Sequence, residues 1–120
     1  MDFPLGIDLV EIKKAKSFYI LHKNRLATFF SGEEISYIEK NKKPYEALAV
    51  LLAAKEATFK ALPKRSWMGV SGFKQIVVTP GVNPRALRCR LKGEPKAGNK
   101  LKLSFTKNKK FVVARCVGIS

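Results

Sequence analysis

Two acids and a lysine in this chain could together handle a phosphate group. Asp8 lies within Leu5–Val10, where residues alternate as in a β-strand. Glu56 and Lys60 are four residues apart in a run of good helix formers, so their side chains share one helix face. Hard cations take one or two carboxylates together with phosphate oxygens, and a lysine can neutralise a departing phosphate. The residue types suit a magnesium–phosphate site, but an ordinary Glu56–Lys60 ion pair and a structural Asp8 would fit the same pattern.

The helix that carries Glu56 and Lys60 is predicted to span Pro44–Leu62. Proline suits the first turn of a helix, and the proline that follows Leu62 cannot continue one. About 18 residues at 1.5 Å each make a rod of roughly 27 Å. Because this rod is apolar on all sides, we expect it to be buried along most of its length, with the Glu56–Lys60 face open to a cleft. Lys55 points away from that face, and the sequence offers it no evident partner.

The order of the predicted elements favours an α+β fold. The strand around Asp8 is followed by a helix from Glu11, and Ser31 opens a second helix with a capping box. After the long helix, alternation between apolar and polar residues predicts strands in four segments. They cover residues 73–79, 85–91, 101–105 and 111–118. We therefore expect one domain over residues 1–120, with the long central helix packed against an antiparallel β-sheet.

Positive charge is the most pronounced feature of the composition. The formal net charge is +15, and residues 61–120 hold fourteen lysines and arginines against one acid, Glu94. Such a surface attracts nucleic acid, phosphorylated cofactors or an acidic protein. No apolar run approaches the length of about 18 residues that a membrane span needs. The first residues lack the basic start of a secretory signal, so we expect a cytoplasmic protein.

Three segments of the chain resemble the 4'-phosphopantetheinyl transferases. Gly6–Ile12 (GIDLVEI) supplies a G-x-D motif, Glu46 follows, and Ala53–Leu62 (AAKEATFKAL) contains K-E-A-x-x-K. The two motifs at this separation are more specific than either alone, and the resemblance covers nearly the whole chain. The length of 120 residues is similar to that of the small holo-acyl carrier protein synthase branch. The resemblance implies the fold of that family.

The resemblance also implies a Mg²⁺-dependent transferase. Asp8 and Glu56 match the positions that hold Mg²⁺ against the pyrophosphate of coenzyme A, and Lys60 matches a position that contacts phosphate. A serine hydroxyl of an apo-acyl carrier protein would attack the β-phosphate and release 3',5'-ADP, a step that serves fatty acid biosynthesis. Either Glu56 or a metal-bound water would take the serine proton. By this resemblance the catalytic residues are Asp8, Glu56 and Lys60.

Partner binding follows from the same resemblance. Basic residues on the helix after the Asp motif dock the acidic carrier protein, and the matching residues are Lys13, Lys14 and Lys16. Charges of that kind speed and orient the encounter more than they add affinity. The small-type enzymes form homotrimers with each active site between neighbouring subunits. We therefore expect a homotrimer.

Some positions depart from the family pattern. Leu51 stands where an arginine is frequent, Phe105 replaces a histidine, and Pro63–Trp67 replaces a glycine-rich turn. These positions help to bind coenzyme A in the family, so the departures concern the cofactor contacts more than the metal site. Lys64 and Arg65 follow the long helix and could compensate. The candidate coenzyme A contacts are Lys60, Lys64, Arg65 and Ser104.

The sequence is also compatible with two other hypotheses about function. A nucleic-acid-binding module could use the basic sheet, with Trp67, Phe105 and Phe111 as stacking surfaces. That reading explains the charge but leaves the charges of the buried helix unexplained. A degenerate homologue could bind a carrier protein without catalysing transfer. Protection by coenzyme A and Mg²⁺ would favour the enzyme, whereas steeply salt-dependent binding to single strands would favour the nucleic-acid module.

Overall fold

The computed structural model describes residues 5–62, 74–80, 86–92 and 101–118. Strand β1 leads into helix α1, a short 3₁₀ helix and helices α2 and α3, and strands β2 to β5 follow. The bounds are β1 Leu5–Glu11, α1 Ile12–His22, 3₁₀ helix Lys23–Thr28, α2 Gly32–Lys40, α3 Pro44–Ala61, β2 Ile76–Pro80, β3 Ala86–Leu91, β4 Leu101–Lys107 and β5 Phe111–Gly118. Among the helices in these ranges, none is long and apolar enough to cross a membrane.

The five strands form one antiparallel sheet in the order β1-β5-β4-β3-β2. The first strand pairs with the last, with Leu5 opposite Val117 and Asp8 opposite Ala114. The helices pack on one side of this sheet, and α3 makes its main contacts with β1 and β5. The predicted α+β fold, with a long helix on an antiparallel sheet, is confirmed.

Helix α3 is the centre of the hydrophobic core. Its residues Leu48, Val50 and Leu51 are at most 2% exposed, so the helix is covered on several sides, as its all-round apolar sequence predicted. Leu51 is therefore a core residue, and Phe105 of β4 also points into the core. Two of the positions where the chain departs from the family pattern, Leu51 and Phe105, thus hold apolar side chains that stabilise the packing.

The capping box at the start of α2 forms as predicted. The Ser31 hydroxyl accepts a hydrogen bond from the backbone N–H of Glu34 at 3.2 Å, and the Glu34 carboxylate accepts one from the backbone N–H of Ser31 at 2.9 Å. Residues 26–30 belong largely to the 3₁₀ helix and the turn after it. Leu26 and Phe30 from this segment are buried in the core.

The strands differ in which of their residues point towards the helices, and this decides on which side of the sheet Asp8 lies. In β3 the leucines point inward and the arginines outward, as the alternation predicted. In β1 the arrangement is reversed: Leu5, Ile7 and Leu9 are more than half exposed, whereas Gly6 is buried against α3 and Asp8 lies on that same side. We call the side of the sheet away from α3 the outer face. Alternation alone could not decide which side of β1 the long helix would cover.

Candidate functional site

Asp8 and Lys60 meet where β1 lies beside the last turns of α3. The Lys60 ammonium lies 2.9 Å from Asp8 Oδ1 and also donates a 3.4 Å hydrogen bond to the backbone carbonyl of Ile7. The Lys60 side chain is 50% exposed and that of Asp8 is 18% exposed, so solvent reaches this contact. The two residues are 52 positions apart in the sequence, and the fold brings them together.

Glu56 completes a cluster with these two residues, which we call the carboxylate–lysine cluster (Asp8, Glu56 and Lys60). The pKa of Lys60 is raised mainly by its hydrogen bond to Asp8, then by the charge of Asp8, with a further contribution from Glu56. Glu56 is half-buried and forms no hydrogen bond or ion pair with another residue that the structure describes. Two carboxylates against one ammonium leave the cluster with a formal charge of −1, so it can accept a further cation.

The donor set of this cluster fits Mg²⁺ in one particular way. Among the described residues, no three His, Cys, Asp or Glu side chains are close enough together to hold a metal ion. Mg²⁺ usually keeps several waters and binds through one or two protein carboxylates plus substrate phosphates. Asp8 and Glu56 provide two such carboxylates. The Lys60 ammonium at 2.9 Å shows that the Asp8 carboxylate already has a cationic neighbour. The residues therefore suit a metal that a phosphate substrate helps to bind.

Ser104 lies elsewhere in the chain. It is on the outer face, where its hydroxyl accepts a 3.0 Å hydrogen bond from Arg115 Nε. Asp8 is on the opposite side of the sheet, so Ser104 does not join the carboxylate–lysine cluster within one chain. Lys64 and Arg65 lie outside the described residues. The three lysines predicted to dock a carrier protein are exposed on α1; they are Lys13, Lys14 and Lys16.

A second, basic feature lies at the other end of α3. A cleft of about 640 Å³ forms between the start of α3 and the β4–β5 hairpin, and its charged lining holds four lysines and one acid. The acid, Glu46, is ion-paired with Lys107. Glu46 precedes Glu56 by ten residues, or about 15 Å along the helix, so one chain does not combine the cleft with the carboxylate–lysine cluster. The lysines of the cleft are Lys42, Lys43, Lys107 and Lys109.

The partner of Lys55 is Glu34, a residue that the sequence marked only as a helix cap. Both side chains are fully buried, with Lys55 Nζ 2.9 Å from Glu34 Oε1. Lys55 also donates to the backbone carbonyl of Phe29 at 3.1 Å and lies over the ring of Phe30, 5.1 Å from its centroid. The other Glu34 oxygen accepts a 2.9 Å hydrogen bond from the backbone N–H of Val78 in β2. One carboxylate thus connects α2, α3 and β2.

Burial dominates the electrostatics of Lys55. Loss of hydration lowers the pKa of this ammonium, and the charge of Glu34 and its hydrogen bond oppose that shift. The capping-box pattern at Ser31 was the one signal that could have drawn attention to Glu34. The capping box could not reveal that Glu34 also pairs with Lys55, because Lys55 lies 21 residues further along the chain.

Known proteins resemble this chain in sequence and in fold. Residues 4–116 match the sequence profile of the 4'-phosphopantetheinyl transferase superfamily. A holo-[acyl-carrier-protein] synthase from Carboxydothermus hydrogenoformans is 33% identical over 118 residues, which cover 93% of this chain and 94% of the relative. A synthase from Thermus thermophilus is 39% identical over 74 residues, and the match spans 57% of this chain and only 59% of that relative.

Solved structures show the same fold. The holo-[acyl-carrier-protein] synthase of Neisseria meningitidis superposes with a TM-score of 0.77 at 22% identity, covering 98% of each chain. A Chronobacterium ammoniagenes ACPS–CoA complex gives a TM-score of 0.75 at 25% identity, covering 100% of this chain and 99% of that one. With the profile match over nearly the full length, these likenesses confirm the family expected from the two motifs. The chain belongs to the 4'-phosphopantetheinyl transferase superfamily.

Proposed function

We propose that this protein is a holo-acyl carrier protein synthase. It transfers 4'-phosphopantetheine from coenzyme A to a serine of an apo-acyl carrier protein, depends on Mg²⁺ and releases 3',5'-ADP. The observation that carries the proposal is the meeting of Asp8 and Lys60 beside Glu56, in a chain of this superfamily. The names of the relatives support the reaction, and the coenzyme A complex of one structural neighbour supports the donor.

Each residue of the cluster has a defined part in the reaction. Asp8 and Glu56 would hold Mg²⁺, which supplies positive charge opposite the pyrophosphate when it is bound. Lys60 donates to a phosphate oxygen and neutralises the charge that develops on the leaving group. The serine oxygen forms a bond to the β-phosphorus, the bond from that phosphorus to the bridging oxygen breaks, and 3',5'-ADP departs with that oxygen. The serine proton passes to Glu56 or to water.

The carrier protein would dock on α1, which directly follows the strand of Asp8. Lys13, Lys14 and Lys16 are exposed there, within a chain of net charge +15. An acidic partner is attracted to such a surface, and its serine would arrive close to the cluster. The remaining coenzyme A contacts would come from Lys64, Arg65 and Ser104. Ser104 can contribute only to the site of another copy, because it lies on the outer face.

We therefore include a homotrimer with shared active sites in the proposal. The exposed leucine and isoleucine side chains of β1 support self-association through the outer face. Residues 1–120 would act as one domain in each subunit. We assign the reaction to fatty acid biosynthesis in the cytoplasm.

A single assay tests the reaction. The protein is incubated with coenzyme A, Mg²⁺ and an apo-acyl carrier protein, and the carrier is then weighed by mass spectrometry. We expect the wild type to add one phosphopantetheine, and we expect Asp8→Ala and Glu56→Gln to abolish transfer while circular dichroism stays unchanged. Glu39→Gln, which alters an exposed carboxylate on α2, is the control that should retain activity. Transfer at the wild-type rate by either cluster variant would refute the assignment.

In the same assay, Lys60→Ala tests whether Lys60 contacts phosphate without contributing to metal binding. Because Lys60 is placed to act on the leaving group, its loss should lower turnover by about 10²-fold or more. The Mg²⁺ concentration for half-maximal rate should change much less. A wild type that binds the carrier protein without modifying it would instead identify a non-catalytic homologue.

A further inference from the structure

Gly6 lies where β1 closely approaches α3. A Cβ atom added at this position would be 1.8 Å from the backbone oxygen of Ala57 and 2.8 Å from the backbone nitrogen of Ala61. Gly6 has the extended backbone of a strand, a conformation that any residue can adopt. The glycine is therefore required by the space between strand and helix and not by backbone conformation.

This contact lies between the members of the carboxylate–lysine cluster. Ala57 directly follows Glu56, and Ala61 directly follows Lys60. Asp8 lies two residues after Gly6 and so on the same side of the strand. Any change in the distance from Gly6 to α3 must therefore change the distance from Asp8 to Glu56 and Lys60.

The size of that change can be estimated from ordinary contact distances. Moving an added Cβ from 1.8 Å to about 3.4 Å from the Ala57 oxygen displaces strand and helix by about 1.6 Å. The obstructing atoms belong to the backbone of α3, so no side-chain rotation relieves the clash. A displacement of that size breaks a hydrogen bond of 2.9 Å such as the one between Asp8 and Lys60.

We propose that Gly6 is a positioning residue, which sets the separation between the Asp8 carboxylate and the Glu56–Lys60 face of α3. The inference rests on the proposed function for its link to catalysis. Gly6 itself touches neither substrate nor metal in this account. It acts through the distance between the two carboxylates that would hold Mg²⁺.

The test compares Gly6→Ala with a matched glycine substitution. Gly32→Ala is the control, because a Cβ at Gly32 meets nothing within 4 Å. Transfer is measured for both variants at a temperature well below each variant's own melting temperature, so that both chains are folded. We expect Gly6→Ala to lose about 10²-fold or more in turnover, as a misplacement of about 1 Å can cost, and to need more Mg²⁺. Gly32→Ala should match the wild type in both respects.

A second substitution distinguishes positioning from a loss of stability. Asp8→Glu lengthens the acid by one methylene, or about 1.5 Å, which is close to the expected displacement. In the wild-type background it should lower transfer, because the longer side chain does not fit the native separation. In the Gly6→Ala background it should raise transfer and lower the Mg²⁺ requirement. Additive losses in the double variant would overturn the positioning role.

Metal binding gives a readout that does not depend on turnover. Mn²⁺ binding is followed by electron paramagnetic resonance for the wild type, Gly6→Ala and Gly32→Ala, in sucrose so that the compact state is favoured. Weaker binding in Gly6→Ala alone supports the inference, and equal binding in all three overturns it. A wild type that binds Mn²⁺ but never transfers phosphopantetheine would count against the proposed function and not against the role of Gly6.

Discussion

Lys55 and Lys60 are five positions apart on α3, yet their electrostatic surroundings are opposite. Lys60 is half exposed, and the carboxylate of Asp8 raises its pKa. Lys55 is fully buried, and loss of hydration lowers its pKa. Lys60 is therefore a charge that a phosphate can reach, whereas Lys55 is held by the protein. We therefore expect the two lysines of one short motif to have different functions.

The thiol of Cys89 allows a prediction about pH. Burial raises its pKa to about 12, from the ordinary value of 9.0, and the nearby Cys116 adds to the shift. Because the folded chain holds the proton more tightly, Cys89 contributes stability that is complete below about pH 9 and is lost as the pH rises towards about 12. Denaturant unfolding across this range should show a smaller loss of stability for Cys89→Ala than for the wild type.

Alkylation checks the same property of Cys89 at neutral pH. The thiolate is the nucleophile, so the native thiol should react with iodoacetamide at pH 8 far more slowly than the unfolded chain does. Peptide mapping after a short exposure measures this rate. Fast labelling of Cys89 in the native protein would contradict the raised pKa.

The sequence predicted some of these residues but not others. Asp8, Glu56 and Lys60 were found because two short motifs resemble a family and because a spacing of four residues places side chains on one helix face. Glu34 and Gly6 have functions that depend on the distance between elements. The residue pattern within one element gives no information about its distance to another element. The functions of Glu34 and Gly6 were therefore not predicted.

At the level of elements, the Glu34–Lys55 pair fixes α3 against α2 and β2. Removing Lys55 would leave a buried carboxylate without its counter-charge, which typically costs about 3–5 kcal/mol. We expect Lys55→Met to lower the free energy of unfolding by that amount. Adding Glu34→Gln should restore part of the loss, because the side chain is then neutral but can still accept hydrogen bonds.

The neighbouring residue of α2 provides a control for this pair. Glu33 is ion-paired with Arg90 at the same 2.9 Å, but both side chains are 57% exposed. Glu33→Gln should therefore cost only about 0–1 kcal/mol. Urea denaturation of the wild type and these three variants measures all these values. Equal effects for Lys55→Met and Glu33→Gln would show that burial does not determine the strength of the pair.

Elements with strong local signals were predicted well. Helix α3 has a proline at its beginning and another just beyond its end, and α2 begins with a capping box. These signals involve only residues that are close in sequence, and they predicted the positions of both helices correctly. The orientation of β1 was not predicted, because Leu5, Ile7 and Leu9 are apolar and yet face outward. Which side of an edge strand is covered depends on the helix that packs on it, and here α3 covers the side that carries the small residue Gly6.

At the level of the whole molecule, the outer face predicts self-association. Ile7 is 54% exposed in the middle of the apolar residues of β1. Ile7→Lys should reduce the proposed trimer to monomers in sedimentation experiments and should lower transfer if the active sites are shared. Ile20→Lys is the control, because Ile20 is also exposed but lies on α1. A trimer that survives Ile7→Lys would exclude this face as the interface.

The distribution of charge predicts how the carrier protein is captured. Lys13→Glu together with Lys14→Glu should raise the KM for the carrier protein by about tenfold or more at low salt, with little effect on kcat. The difference should shrink as salt screens the charges. Lys40→Glu together with Lys92→Glu makes the same change in net charge elsewhere on the surface. If this control pair raised KM equally, net charge and not α1 would direct docking.

The pairing of β1 with β5 also has a consequence for biosynthesis. Asp8 lies opposite Ala114, so the strand that carries it gains its neighbour in the sheet only when about a hundred further residues have been synthesised. Closing a loop of about a hundred residues is entropically costly and slows folding. The nascent chain can form α3 early, but the Asp8–Lys60 contact should become stable only once β5 has paired with β1, among the last events of folding.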